Sequence, residues 1–188
     1  MKIKSIVLFL GAGLFLLSGC AKKSSGDSSK TTISNNSAAN VSEVTTVEKR
    51  EHKAPNFSWQ DPSGNKTDFA SVAGKLTLVN FWATWCGPCK HELPDLIALS
   101  KEYESRGVKV IGISADVGTD VTGDVKSFVQ EEGIPYQVLI ANDEIKEAFG
   151  NVSMLPTSFV IDNEGNILET MIGARSKAQF AEAIDKHL

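Results

Sequence analysis

Cysteine and histidine are scarce in this chain, at three residues each in 188. Cys20 stands alone near the start, whereas Cys86 and Cys89 are separated only by Gly87-Pro88. One close pair cannot form the disulfide framework that staples small exported domains. A structural zinc site would need two further Cys or His ligands beside the pair. His52 falls in a polar leader and His187 in the last two residues, so a ligand set is not assembled. A purely structural disulfide closing so small a loop stabilises by only about 2 kcal/mol on the chain-entropy model. A peroxidatic cysteine would use one sulfur and a different flanking pattern. The pair reads instead as a reversible dithiol/disulfide centre, with no metal and no cofactor.

Excess positive charge is also missing. Without residues 1–19, which hold two lysines and no acidic residue, the chain carries 17 basic and 23 acidic groups, net −6. That balance argues against nucleic acid or an anionic lipid surface as the main partner. A long hydrophobic run is missing as well. Lys2 and Lys4 precede the apolar stretch from Ile6 to Leu17, the layout of a secretory signal and too short for a comfortable membrane span. The segment ends in Leu17-Ser18-Gly19-Cys20, which resembles a bacterial lipoprotein box. The resemblance implies that Cys20 is lipidated and becomes the mature N-terminus. Residues 20–53 then read as the lipidated cysteine and a disordered tether, rich in Ser, Asn, Thr and Lys and free of aromatics. Such a tether reaches on the order of 30 Å.

The rest, residues 54–188, has the size of one domain. Asn56–Trp59 predicts a short opening strand, followed by a turn at Asp61-Pro62-Ser63-Gly64-Asn65. The apolar run Leu76–Trp82 suits a central strand covered on both faces. From Cys86 to about Arg106 the apolar spacing predicts a helix that ends at Gly107 and is kinked at Pro94. Strands follow at Val108–Ser114, Gln137–Ile140, Thr157–Ile161 and Ile167–Ile172. Helices are predicted at Asp124–Glu132, Asp143–Phe149 and from Ser176 onward, the last opened by a Ser176/Gln179 capping box. Alternating strands and helices argue an α/β fold whose sheet is mostly parallel, with an antiparallel hairpin through Asn163-Glu164-Gly165.

The dithiol falls at a strand-to-helix junction. Unpaired N–H groups and the helix dipole favour a thiolate there, so Cys86 is the candidate attacking sulfur, exposed and of lowered pKa. Cys89, one turn further in, is more buried and suits resolution of a mixed disulfide. Pro88 fits a first helical turn, where no N–H is needed.

Phe81-Trp82-Ala83-Thr84-Trp85-Cys86-Gly87-Pro88-Cys89-Lys90 resembles the active-site signature of thioredoxins, and Pro94 sits where they kink the same helix. Met154-Leu155-Pro156-Thr157 resembles the loop whose proline is cis and packs beside their disulfide. The resemblance implies a thioredoxin fold: a central mixed β-sheet flanked by helices. It also implies a substrate-binding surface of Trp85, Gly87, Pro88, Leu155 and Pro156, with the Leu155 backbone free to pair with an incoming peptide. Trp82 is expected to pack beneath the site and Trp85 to be exposed. The helix and strand at about 124–140 have no counterpart in thioredoxin. With the exported start, they resemble the TlpA/ResA branch of extracytoplasmic thioredoxin-like reductases, over about 55–188.

Asn80 departs from thioredoxin, standing where that family has a buried acid. In the TlpA/ResA branch an acidic residue of the active-site helix takes this part, and Glu92 matches it, three residues after Cys89 on the same helical face. A partly buried Glu92 with raised pKa would accept the resolving proton. The function implied is a membrane-tethered, monomeric reductase of disulfides in exported proteins, with apocytochrome c as a candidate target. Its electrons would come from a membrane thiol donor of DsbD/CcdA type, and it would meet the membrane through the N-terminal lipid only. Alternatives are an oxidase of exported proteins, or a copper metallochaperone, against which the lack of histidine in 108–175 counts.

Overall fold

The computed structural model describes residues 40–61 and 63–188. The signal segment, Cys20 and residues 21–39 of the expected tether lie outside the described residues. Among those described, no helix is long and apolar enough to cross a membrane.

The strands are β1 (Val41–Glu48), β2 (Asn56–Gln60), β3 (Lys66–Asp68), β4 (Leu76–Trp82), β5 (Val108–Ser114), β6 (Gln137–Ile140), β7 (Thr157–Asp162) and β8 (Ile167–Ile172). The helices are α1 (Phe69–Val72), α2 (Gly87–Tyr103), α3 (Val121–Glu132), α4 (Asp143–Ala148) and α5 (Lys177–Asp185). One sheet of eight strands runs β3-β2-β1-β6-β5-β4-β7-β8. Its middle, β1-β6-β5-β4, is parallel. Antiparallel strands flank it on both sides, β2 and β3 at one edge and β7 and β8 at the other. The sheet is therefore mixed, with more antiparallel pairing than the strand–helix alternation suggests.

β1 corrects the expected boundary at residue 54. Val41 and Val44 are buried, and β1 lies inside the sheet between β6 and β2. Its β-branched residues, Val41, Val44, Thr45, Thr46 and Val47, fit a pleated surface. Averaged with the polar residues on either side, they read as tether. β3 was likewise hidden, within three residues of polar sequence.

β4 is buried along its whole length and alternates between two cores. Leu76, Leu78 and Trp82 join the cluster under α2, α3 and α5, with Leu93, Leu96, Val125, Val129 and Phe180. Val79 and Phe81 join the other, with Phe57, Phe69 of α1 and Ile145 of α4. The two-residue period puts Asn80 on the α2 side. α2 runs through Pro94, continues as a 3-10 turn at Glu104–Arg106, and stops at Gly107, whose φ of 87° suits glycine. α3 starts earlier than the apolar spacing suggested, because the Asp120 carboxylate accepts the Gly123 N–H and caps it. α5 opens on the expected capping box of Ser176 and Gln179.

Candidate active site

β4 delivers the chain to a tight turn, closed by a hydrogen bond from the Cys86 N–H to the Ala83 carbonyl (3.1 Å). Cys86 is the N-cap of α2, in extended conformation, and its Sγ accepts the Cys89 N–H at 3.2 Å. Pro88 occupies the first turn, where an N–H would have no helical partner. Cys86 and Cys89 are joined as a disulfide, with Cα atoms 5.3 Å apart.

The expectation that Cys86 is exposed and Cys89 buried is not met in this oxidised form. Their exposures are 5% and 4%. What separates them is position: the Cys86 sulfur faces the helix-terminal N–H groups, while Cys89 is already inside the helix. Gly87 and Pro88 are exposed, and Trp85 is 65% exposed. Trp82 is buried, tilted against Phe128 at 5.2 Å between ring centroids, and its indole N–H has no partner.

The Leu155–Pro156 peptide is cis, as the resemblance implied. Leu155 packs against the cluster that holds both cysteines, and Pro156 is buried. The loop is fixed by the Gly173 N–H to the Pro156 carbonyl (2.8 Å) and by the Thr157 hydroxyl to the Met154 carbonyl (2.8 Å). Among the described residues the Leu155 backbone makes no hydrogen bond, so its groups are available to an extended peptide.

Behind the disulfide lies Glu92, only 2% exposed. Burial pushes its carboxyl above the ordinary glutamate range. Two donors oppose that rise: the Arg175 N–H to Oε2 (3.0 Å) and the Asn80 amide to Oε1 (2.9 Å). The Asn80 amide also donates to the Ser158 hydroxyl at 2.9 Å. Asn80 is thus the partner of the buried acid rather than a mere vacancy left by one. A lone amide inside the apolar run of β4 was the signal for it. Ser158 and Arg175 gave no such signal, because Ser158 reaches Asn80 from β7 and Arg175 reaches Glu92 from the loop after β8.

A cavity of about 380 Å³ opens at the other end of the sheet, lined by Trp59, Val108, Pro135 and Tyr136 among others, and no site residue lines it. Among the described residues no group of His, Cys, Asp or Glu side chains is placed to hold a metal ion.

Comparison with known proteins agrees with this geometry. The AhpC/TSA family model matches residues 51–170. The thiol-disulfide oxidoreductase ResA of Bacillus thuringiensis (strain Al Hakam) is 37% identical over 134 residues, 71% of this chain and 76% of the relative. ResA of Bacillus subtilis (strain 168) is 32% identical over 128 residues, 68% of this chain and 69% of the relative. The crystal structure of a thiol:disulfide interchange protein of the thioredoxin family from Chlorobium tepidum TLS superposes with a TM-score of 0.64 at 37% identity, covering 74% of this chain and 98% of that one. The chain belongs to the AhpC/TSA family and, within it, is a ResA-like thiol-disulfide oxidoreductase with the thioredoxin fold.

Proposed function

We propose that the chain reduces disulfides in exported proteins outside the cytoplasm, held to a membrane by lipid on Cys20. The observation that carries the chemistry is the Cys86–Cys89 disulfide at the start of α2, backed by the buried Glu92.

In the reduced form the Cys86 thiolate, favoured by the N–H groups of the first turn, attacks one sulfur of a substrate disulfide. The substrate S–S bond breaks, a mixed disulfide forms, and the leaving thiolate takes a proton from solvent. Glu92, as carboxylate, accepts the Cys89 proton. The Cys89 thiolate attacks the Cys86 sulfur, the mixed disulfide breaks, and the second substrate thiolate departs. Two electrons have passed to the substrate, and the 86–89 disulfide has formed. A membrane dithiol protein of DsbD/CcdA type restores the reduced pair. Trp85, Gly87, Pro88, Leu155 and Pro156 seat the substrate segment, with the Leu155 backbone pairing to it. A disulfide of apocytochrome c is the favoured target, and the chain works as a monomer.

Direction rests on the Gly87-Pro88 pair, which is that of thioredoxin, at the reducing end of the range. The expected reduction potential is nearer about −270 mV than the about −120 mV of a strong oxidase. A measured value near −120 mV overturns the reductase reading. Catalytic insulin reduction with dithiothreitol is expected for the wild type and lost in Cys86→Ser. A Cys89→Ser variant is expected to trap targets as mixed disulfides.

A further inference from the structure

The turn that presents Cys86 is tied to a residue outside the motif. Asp116 follows β5, and its carboxylate accepts the Thr84 N–H (3.0 and 3.2 Å) and the Thr84 hydroxyl (2.5 Å). It also accepts the Ser114 hydroxyl at 2.7 Å, while its own N–H donates to that hydroxyl oxygen at 3.2 Å. Ser114 is fully buried at the end of β5, beside Trp82 of β4, so the anchor is part of the sheet. The Ala115 N–H donates to the Trp82 carbonyl at 2.8 Å and fastens the same strand end.

Thr84 lies two residues before Cys86, in the turn closed by the Cys86 N–H on the Ala83 carbonyl. Between the end of β4 and the start of α2, Thr84 is the residue with both a backbone and a side-chain donor on another element. Charge-assisted hydrogen bonds are stronger than neutral ones, and here both converge on one carboxylate.

We infer that Asp116 is a positioning residue for the attacking sulfur, acting through Thr84. It fixes the turn so that Cys86 takes the N-cap conformation in which its sulfur faces the N–H groups of α2. The inference rests on Cys86 being the attacking sulfur. It adds that the thiolate-stabilising geometry is set from β5 and not by the motif alone. Released from Asp116, the turn samples other conformations, the Cys86 sulfur loses part of its N–H contacts, and its thiol pKa rises.

The titratable groups around the site are Cys89, Lys90, His91 and Glu92 on α2, and Asp116 itself. Thr84 carries no charge, so changing it alters the tie and leaves all of them in place. The test measures the Cys86 thiol pKa in the reduced protein, from the pH dependence of iodoacetamide alkylation, together with kcat and KM for insulin reduction. Thr84→Val and Asp116→Ala are expected to raise that pKa by about one and to lower kcat by about tenfold. Thr84→Ser, which keeps the hydroxyl donor, is expected to stay within about twofold of the wild type. Thr84→Val with an unchanged pKa and kcat overturns the inference and leaves Asp116 a structural cap. A fall in pKa, equal in Asp116→Ala and Asp116→Asn, overturns it in favour of a direct charge effect. Cys86→Ser serves as the separate control. If it keeps turnover, the assignment of the attacking sulfur fails, whatever the Thr84 variants do.

Discussion

Two donors favour the charged form of Glu92, and burial disfavours it more strongly, so its carboxyl is raised. A base with a raised pKa is still ionised at neutral pH if the rise is moderate, and is then well matched to a thiol proton. Resolution by Cys89 is expected to speed up as pH rises through the Glu92 pKa. Glu92→Gln removes that limb and slows turnover near pH 7. Insulin reduction across pH 5–9 checks this, and identical profiles for the two proteins count against the role. Stability follows the same group. The folded state holds the Glu92 proton more tightly than the unfolded chain, whose glutamates titrate near about 4.3. Its contribution is complete below that value and declines as pH rises through the folded pKa. In the oxidised protein the cysteines do not titrate, but Asp61, Asp143, Asp162, Glu169 and Asp185 hold lowered carboxyls whose slope is opposite, so urea unfolding at a series of pH values is compared between the wild type and Glu92→Gln. Relative to Glu92→Gln, the wild type is expected to lose stability over that window. Glu92 was readable from its spacing to Cys89 because both sit on one helix. Its depth was not, since the Arg175 N–H arrives from 83 positions further along the chain and Asn80, its other donor, is itself held by Ser158, 78 positions from it.

At the scale of elements, α2 carries most of what function needs. It is capped by Cys86, carries Cys89 and Glu92, and packs Leu93, Leu96 and Leu99 into the core beside β4 and α5. Its apolar spacing, its glycine stop and the Pro88 signal lie within one stretch of chain, and these are legible locally. β1 shows the opposite case. Its place inside the sheet depends on β6, whose contacts close over a long sequence separation, as well as on the nearby β2, and its own residues are largely polar. A chain cut to residues 54–188, the boundary composition suggests, is expected to lose β1 from the middle of the sheet. It would leave edges of β2 and β6 bare for mispairing. A chain starting at residue 40 keeps the strand. Thermal unfolding by circular dichroism should show a cooperative transition for the longer chain, and a markedly lowered or absent one, with aggregation, for the shorter. Equal melting of the two would remove β1 from the folded unit.

For the molecule as a whole, strand order could not be read from the sequence. The helix–strand piece at about 124–140 was visible as an addition, yet only the sheet shows that β6 separates β1 from β5. The consequence is directional. β1 runs parallel to β6, β5 and β4, and the disulfide lies past the C-terminal end of β4. The polypeptide enters the sheet at Val41, which the ladder sets level with Val138, Gly112 and Asn80, near the C-terminal end of β4. Three strand spacings separate Val41 from Asn80, roughly 14 Å. Entry point and disulfide therefore share one half of the sheet. For a domain held upstream of Val41, as proposed, this is a question of leash. The slack before Val41 would set how far the reactive end can travel between a soluble client and a donor at the membrane. Shortening residues 21–39 in cells is expected to slow re-reduction of the pair, read as the oxidised fraction by thiol trapping. In a purified assay with dithiothreitol, insulin reduction should stay unchanged. An oxidised fraction insensitive to that length would mean that the donor reaches the disulfide without that slack.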